Sequence, residues 1–179
     1  ADFEILKEME MLDDEIFETN VTTFRNVKPV LEQYLNDNPL ANLKIVAIGS
    51  TSDMYDIPFW RSFSKAKNEL RKEFRLLYGA PSTFGRVGSL FINVSTTDGT
   101  QLAGERPFIS REYCLTPREI LDKSLPYMLD DNSSSLEISV IKPNPHFAEP
   151  DFLSNAEVVS RWYRDMYGSN IKKLKGGKE

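Results

Sequence analysis

Cysteine and histidine are nearly missing from this chain of 179 residues: Cys114 is the only thiol and His146 the only imidazole. One cysteine excludes an intramolecular disulfide and a cysteine-based zinc site, and it fits a reducing, intracellular compartment. With one histidine, a Ser/His/Asp or Cys/His apparatus has a single candidate base, in Pro143-Asn144-Pro145-His146, and no nucleophile elbow surrounds any serine. Long apolar runs are lacking too. The longest strongly apolar run, Leu43 to Ile48, is far too short to span a bilayer. No basic segment precedes an apolar stretch at the start, so no signal peptide is expected. Spaced glycines are scarce, and neither a P-loop nor a dinucleotide fingerprint occurs.

What is present is enough for a core. The chain is 40% hydrophobic and 11% aromatic, which excludes wholesale disorder and fits one domain with an arm. Its net charge of −5 is unevenly placed. Residues 1–18 carry eight acidic side chains against Lys7 alone. The rest of the chain is slightly basic, and residues 172–179 form a lysine- and glycine-rich tail.

Periodicity gives the elements. Phe3, Leu6, Met9, Leu12 and Ile16, at spacings of three and four, make an apolar stripe on an acidic N-terminal helix. Asn20 to Pro29 breaks the pattern, and a short helix is expected over 28–36 with Pro29 in its first turn. A buried strand runs through Leu43 to Ile48 and ends at Gly49. A long helix covers 59–78, followed by an irregular glycine-rich loop. Leu90, Ile92 and Val94 alternate as a strand, Thr97-Asp98-Gly99 signals a hairpin turn, and 108–115 suits another strand. Thr116, Pro117 and Glu119 form a capping box with proline at the first helical position, and Leu115 with Ile120 makes a hydrophobic staple. Leu136 to Val140 alternates as a strand. Ser154 with Glu157 opens a last helix through Trp162 to Gly168. This interleaving without βα regularity predicts an α+β fold, a small mixed or antiparallel sheet packed with about four to five helices. The expected organisation is an acidic helical arm over 1–18, a single domain over 19–171 and a basic flexible tail over 172–179.

Candidate chemistry is thin. The Gly49 to Asp53 loop follows a strand but reads as ordinary turn chemistry. Cys114 on a strand reads as a small buried hydrophobe rather than a nucleophile. Asp53 with Asp56, and Asp130 with Asp131, lack the ligand alternation of a calcium loop, and loop solvation is expected for them and for Glu137. No catalytic, cofactor or metal residues are assigned.

The helix over 59–78 is more telling. Its apolar face holds Phe59, Phe63, Ala66, Leu70, Phe74 and Leu77. Lys67, Arg71 and Arg75 form a row at spacing four beside it, flanked by Arg61, Lys65 and Lys72, against only Glu69 and Glu73 on the other flank. Such a stripe binds phosphates, anionic lipid or an acidic protein surface. The row lies off the apolar centre and is expected to face solvent, with the acidic N-terminal helix as a candidate counterpart. The resulting expectation is a non-enzymatic protein–protein interaction or assembly protein, a structural subunit of a larger complex, with viral or phage particles among the classes admitted. The partner is a protein or a second copy. The alternative is a nucleic-acid-binding protein using the basic helix and lysine tail. A membrane surface is not expected.

Overall fold

In a computed structural model, the structure describes residues 16–54, 61–80, 83, 85–98, 111–130 and 134–142. Three α-helices and three strands alternate along it: α1 (Thr23–Asp37), β1 (Leu43–Ser50), α2 (Arg61–Gly79), β2 (Val87–Val94), α3 (Pro117–Met128) and β3 (Ser135–Val140). The mixed α+β character is as expected, but the sheet is neither mixed nor antiparallel. All three strands are parallel, in the order β1-β2-β3. Three α-helices stand among the described residues in place of the expected four to five. The last expected helix, 154–168, and the lysine tail lie outside them, as do Phe3, Leu6, Met9 and Leu12.

Parallel pairing follows from helices spanning each strand-to-strand connection, a link too long for a hairpin and long enough for a crossover. It also explains why β2 is buried at all eight positions. A central parallel strand has both faces covered, so its residues need not alternate in polarity. Of the expected strand over 108–115, the described part, 111–115, is instead a short 3₁₀ turn, Arg111–Tyr113, followed by a single parallel bridge between Thr97 and Leu115. The Asp98 N–H donates to the Leu115 carbonyl at 2.8 Å. Thr97 thus docks the chain beside α3, and Gly99 of the expected hairpin turn lies outside the described residues.

Each sheet face has its own core. On one face Phe91, Ile45 and Ala47 meet Ala66, Leu70 and Phe74 of α2, and Leu43 and Val87 meet Leu35 of α1 and Leu77 of α2. On the other, Leu90, Ile92, Val94 and Val140 meet Leu115, Ile120 and Met128 at α3. The strands advance in one direction while their connecting helices lie on opposite faces. The two crossovers therefore have opposite hands, and one is of the uncommon left-handed kind.

The expected break after Asn20 is not a break. A π-helical turn, Glu18–Thr22, runs directly into α1. Its wide hydrogen bonding suits polar side chains that bond to their own backbone. Asn20 Nδ2 donates to the Ile16 carbonyl at 2.8 Å, and Thr23 Oγ1 donates to the Glu18 carbonyl at 3.2 Å. The helical segment thus continues across position 18, and Pro29 sits well inside α1 rather than in a first turn.

The capping box forms as its residues predict. Glu119 N–H donates to Thr116 Oγ1 at 3.2 Å, and Thr116 N–H donates to Glu119 Oε2 at 2.7 Å. Leu115 and Ile120 both join the core beneath it. Thr116→Ala is expected to cost about 1 kcal/mol, read as a lower midpoint in urea unfolding.

Candidate functional site

The basic row of α2 is where sequence and structure differ most. Arg71 is not solvent-facing. Its side chain is only 12% exposed, and it lies across the sheet with its guanidinium 5.1 Å from the Phe91 ring centroid. Arg71 Nη2 is 2.6 Å from Asp53 Oδ2, and the Asp53 side chain is fully buried. Arg71 Nε is 2.8 Å from Glu137 Oε1. Neither approach is an aligned hydrogen bond, since both Asp53 oxygens and Arg71 Nε lack a hydrogen-bond partner. These are contacts of charge. The aligned bonds run from Arg71 Nη1 to Asn68 Oδ1 at 2.8 Å and from Arg71 Nη2 to Asn93 Oδ1 at 3.0 Å. Asn93 Nδ2 in turn donates to Glu137 Oε1 at 2.8 Å.

This network joins four elements: the turn after β1, α2, β2 and β3. Its placement follows from register. Asn93 stands one strand repeat beyond Phe91, and Glu137 of β3 is the partner of Phe91, so both carboxamide and carboxylate lie on the face under α2. Strand parity brings them together.

Three further cations of the stripe are also engaged. Arg75 Nη2 pairs with Glu137 Oε2 at 2.9 Å, and Lys72 Nζ with Glu69 Oε2 at 3.1 Å. Lys67 Nζ donates to the Ile48 carbonyl at 3.1 Å and lies 5.4 Å from the Phe63 ring. Burial lowers the Lys67 pKa, partly offset by the Asp53 charge. Lys65 is exposed, and the Arg61 side chain lies outside the described residues. Glu69 and Glu73 pair with Arg25 of α1, at 3.2 and 2.6 Å. The acidic flank of α2 therefore meets a cation from α1. Ile16, the one described member of the N-terminal stripe, packs with Phe17 against the core of Val21, Ala66, Leu70 and Phe74.

In parallel sheets, ligands collect beyond the carboxyl ends of strands whose connections leave to opposite faces, as those of β1 and β2 do here. That crevice is occupied by the chain itself. Thr51 Oγ1 donates to the Val94 carbonyl at 3.4 Å, and Asp53 turns inward onto Arg71. A shallow groove of ≈ 200 Å³ remains under α2, lined by Arg71, Arg75, Ser89, Phe91 and Glu137. Its arginines are already paired with its carboxylate. Burial pushes the Glu137 carboxyl up, but hydrogen bonds from Asn93 and Arg75 and the charges of Arg71 and Arg75 outweigh it and hold Glu137 below the usual carboxylate range.

Cys114 is buried, and desolvation with the nearby Asp98 charge raises its pKa, the opposite of an activated nucleophile. His146, Asp56 and Asp131 lie outside the described residues. No group of three metal-ligating side chains occurs among the described residues. None of their helices is long and apolar enough to cross a membrane.

Sequence reasoning missed the network because its carboxylates carried no motif. The signal available was Asn93, a carboxamide inside the apolar run Leu90 to Val94, which burial would oblige to find partners. No family model, curated protein or solved structure matches the chain.

Proposed function

We propose that the protein is a non-enzymatic interaction or assembly protein, working through contacts with other protein surfaces as a structural subunit of a larger complex. The observation that carries this reading is the outer face of α3. Leu121 and Leu125 stand four residues apart, more than a third exposed, and Leu129 just past the helix is 70% exposed. A leucine row at this spacing lies along one side of a helix, bordering the side that Ile120, Ser124 and Met128 turn to the core and running outward to Leu129. Rows of exposed leucine are costly in water and are characteristic of surfaces that meet another protein. Support also comes from α2, whose Arg71, Arg75 and Lys72 are paired within the fold. Phosphate binding along that helix would have to compete with those internal contacts.

The test is Leu121→Ser with Leu125→Ser, two substitutions at half-exposed positions expected to lower the melting temperature modestly while leaving the protein folded. Mass by light scattering over a concentration series, and partner retention where a partner is found, are expected to fall in the double variant. Unchanged association would remove α3 from the interface. Tight binding of the intact protein to DNA or RNA, falling steeply with salt, would overturn the reading in favour of nucleic-acid recognition.

A further inference from the structure

The crevice beyond the carboxyl ends of β1 and β2 is covered by a single 3₁₀ turn, Thr51–Met54. The cover is thin. Asp53 as a whole residue is only half-buried, yet its side chain is fully buried. Among the described residues, two side-chain hydrogen bonds tether the turn, both long. Thr51 Oγ1 donates to the Val94 carbonyl and Asn68 Nδ2 to the Asp53 carbonyl, each at 3.4 Å.

The carboxylate beneath this cover fits its place badly. A buried carboxylate ordinarily accepts two or three hydrogen bonds. Both Asp53 oxygens lack one, although Arg71 Nη2 stands 2.6 Å from Oδ2. Lys67 is near enough to feel the Asp53 charge, but its ammonium donates to the Ile48 carbonyl instead. The charges do not balance either. Lys67, Arg71 and Arg75 stand against Asp53 and Glu137, and the exposed Arg75 pairs with Glu137 at 2.9 Å. Two cations one helical turn apart, Lys67 and Arg71, are then left with one carboxylate.

We propose that Asp53 is an internal stand-in for an external oxyanion, and that Arg71 and Lys67 bind the head of a small phosphate monoester when the Thr51–Met54 turn swings outward. The place is the one where parallel sheets take their ligands, between strands whose connections leave to opposite faces. A phosphate suits it better than a second carboxylate. Its dianion matches both cations, and its three terminal oxygens offer acceptors that the Asp53 carboxylate does not bring into line. A polymer of phosphates has no continuous track here, because Arg75 and Lys72 are exposed and already paired.

Inorganic phosphate is the first probe, titrated into the full chain against potassium chloride of equal ionic strength. In the wild type, the NMR signals of Arg71 Nε–H and of the Thr51–Met54 amides are expected to shift and saturate with phosphate and to stay still with chloride. Absence of saturating shifts up to about 50 mM phosphate overturns the proposal without any variant. Asp53→Asn keeps the shape and removes the competing charge, so it is expected to bind phosphate about tenfold more tightly than the wild type. Lys67→Met in that background is expected to abolish the gain, whereas Lys65→Met, on the exposed side of the same helix, is expected to keep it. Equal affinity in wild type and Asp53→Asn, or a gain that survives Lys67→Met, overturns the site. Glycerol phosphate is expected to bind at least as tightly as the free ion, and weaker binding would exclude a monoester. An oligonucleotide that displaces phosphate from the same amides would overturn the small-ligand assignment in favour of a polymer. None of these outcomes bears on the leucine row of α3.

Discussion

Replacement of Arg71 by methionine is expected to lower stability by about 3–5 kcal/mol, the cost of leaving the buried Asp53 carboxylate without its cation. The methionine keeps much of the apolar stem, so the loss is one of charge and hydrogen bonding rather than volume. Asp53 is fully buried and, among the described residues, has only Arg71 within ion-pair distance. Asn93, also fully buried, would lose the donor to its carbonyl oxygen. Part of the loss is expected to return when Asp53→Asn is added, because the orphaned charge is removed while the shape is kept. Urea unfolding of the three variants and the wild type forms the cycle. If Arg71→Met unfolded within about 0.5 kcal/mol of wild type, the network would be a surface arrangement of little energetic weight.

The same network predicts a pH dependence with a definite sign. The Glu137 carboxyl lies below its ordinary value in the folded protein. Its contribution is therefore complete above the unfolded-state value of about 4.3 and is lost as pH falls through the folded-state value. The acid-side slope attributable to Glu137 should flatten in Arg71→Met, because one of the charges that lowers it is gone.

The second large effect is expected at Gly49. The residue lies within β1, opposite Asn93, and a side chain there has no room. A Cβ would run into the Phe91 ring at Cε1 and come within 2.6 Å of Asn93 Oδ1. Phe91 is itself held by Phe74, edge-to-face at 5.8 Å, and by Arg71 above its ring. Nothing nearby yields at low cost, so Gly49→Ala is expected to destabilise by about 3 kcal/mol, at the upper end of overpacking effects. Trimming the obstacle tests the cause. Phe91→Leu alone is expected to destabilise, yet Gly49→Ala should cost much less in that background. Additive costs in the double variant would place the clash somewhere other than the ring.

These effects mark the division between what is local and what is not. The strands over Leu43 to Ile48, Leu90 to Val94 and Leu136 to Val140 were legible because apolar β-forming residues cluster there between turn residues. The box of Thr116 and Glu119 was legible because both halves of it lie within one helical turn. Gly49 was read as the end of a strand, since a glycine without its neighbours in space looks like a turn. The π-helical turn at Glu18–Thr22 was read as an interruption, because Asn20 and Thr23 disfavour an ordinary helix and nothing local announces a wider one. Strand direction was misread, although the expected helices over 59–78 and from Thr116 lie between the strands. Parallel and antiparallel pairing place the same residues on the same faces, and it is α2 and then α3, each carrying the chain back along the sheet, that make the next strand parallel.

The basic row is the clearest case. The sequence by itself determined that Lys67, Arg71 and Arg75 would share one side of a helix, because 3.6 residues per turn requires it. Whether that side met solvent was decided by the tertiary structure, which set Asp53, Asn93 and Glu137 beneath it from three other segments. Long-range charge pairing has no spacing rule along the chain, so Arg71, in a row expected to face solvent, is held within the fold.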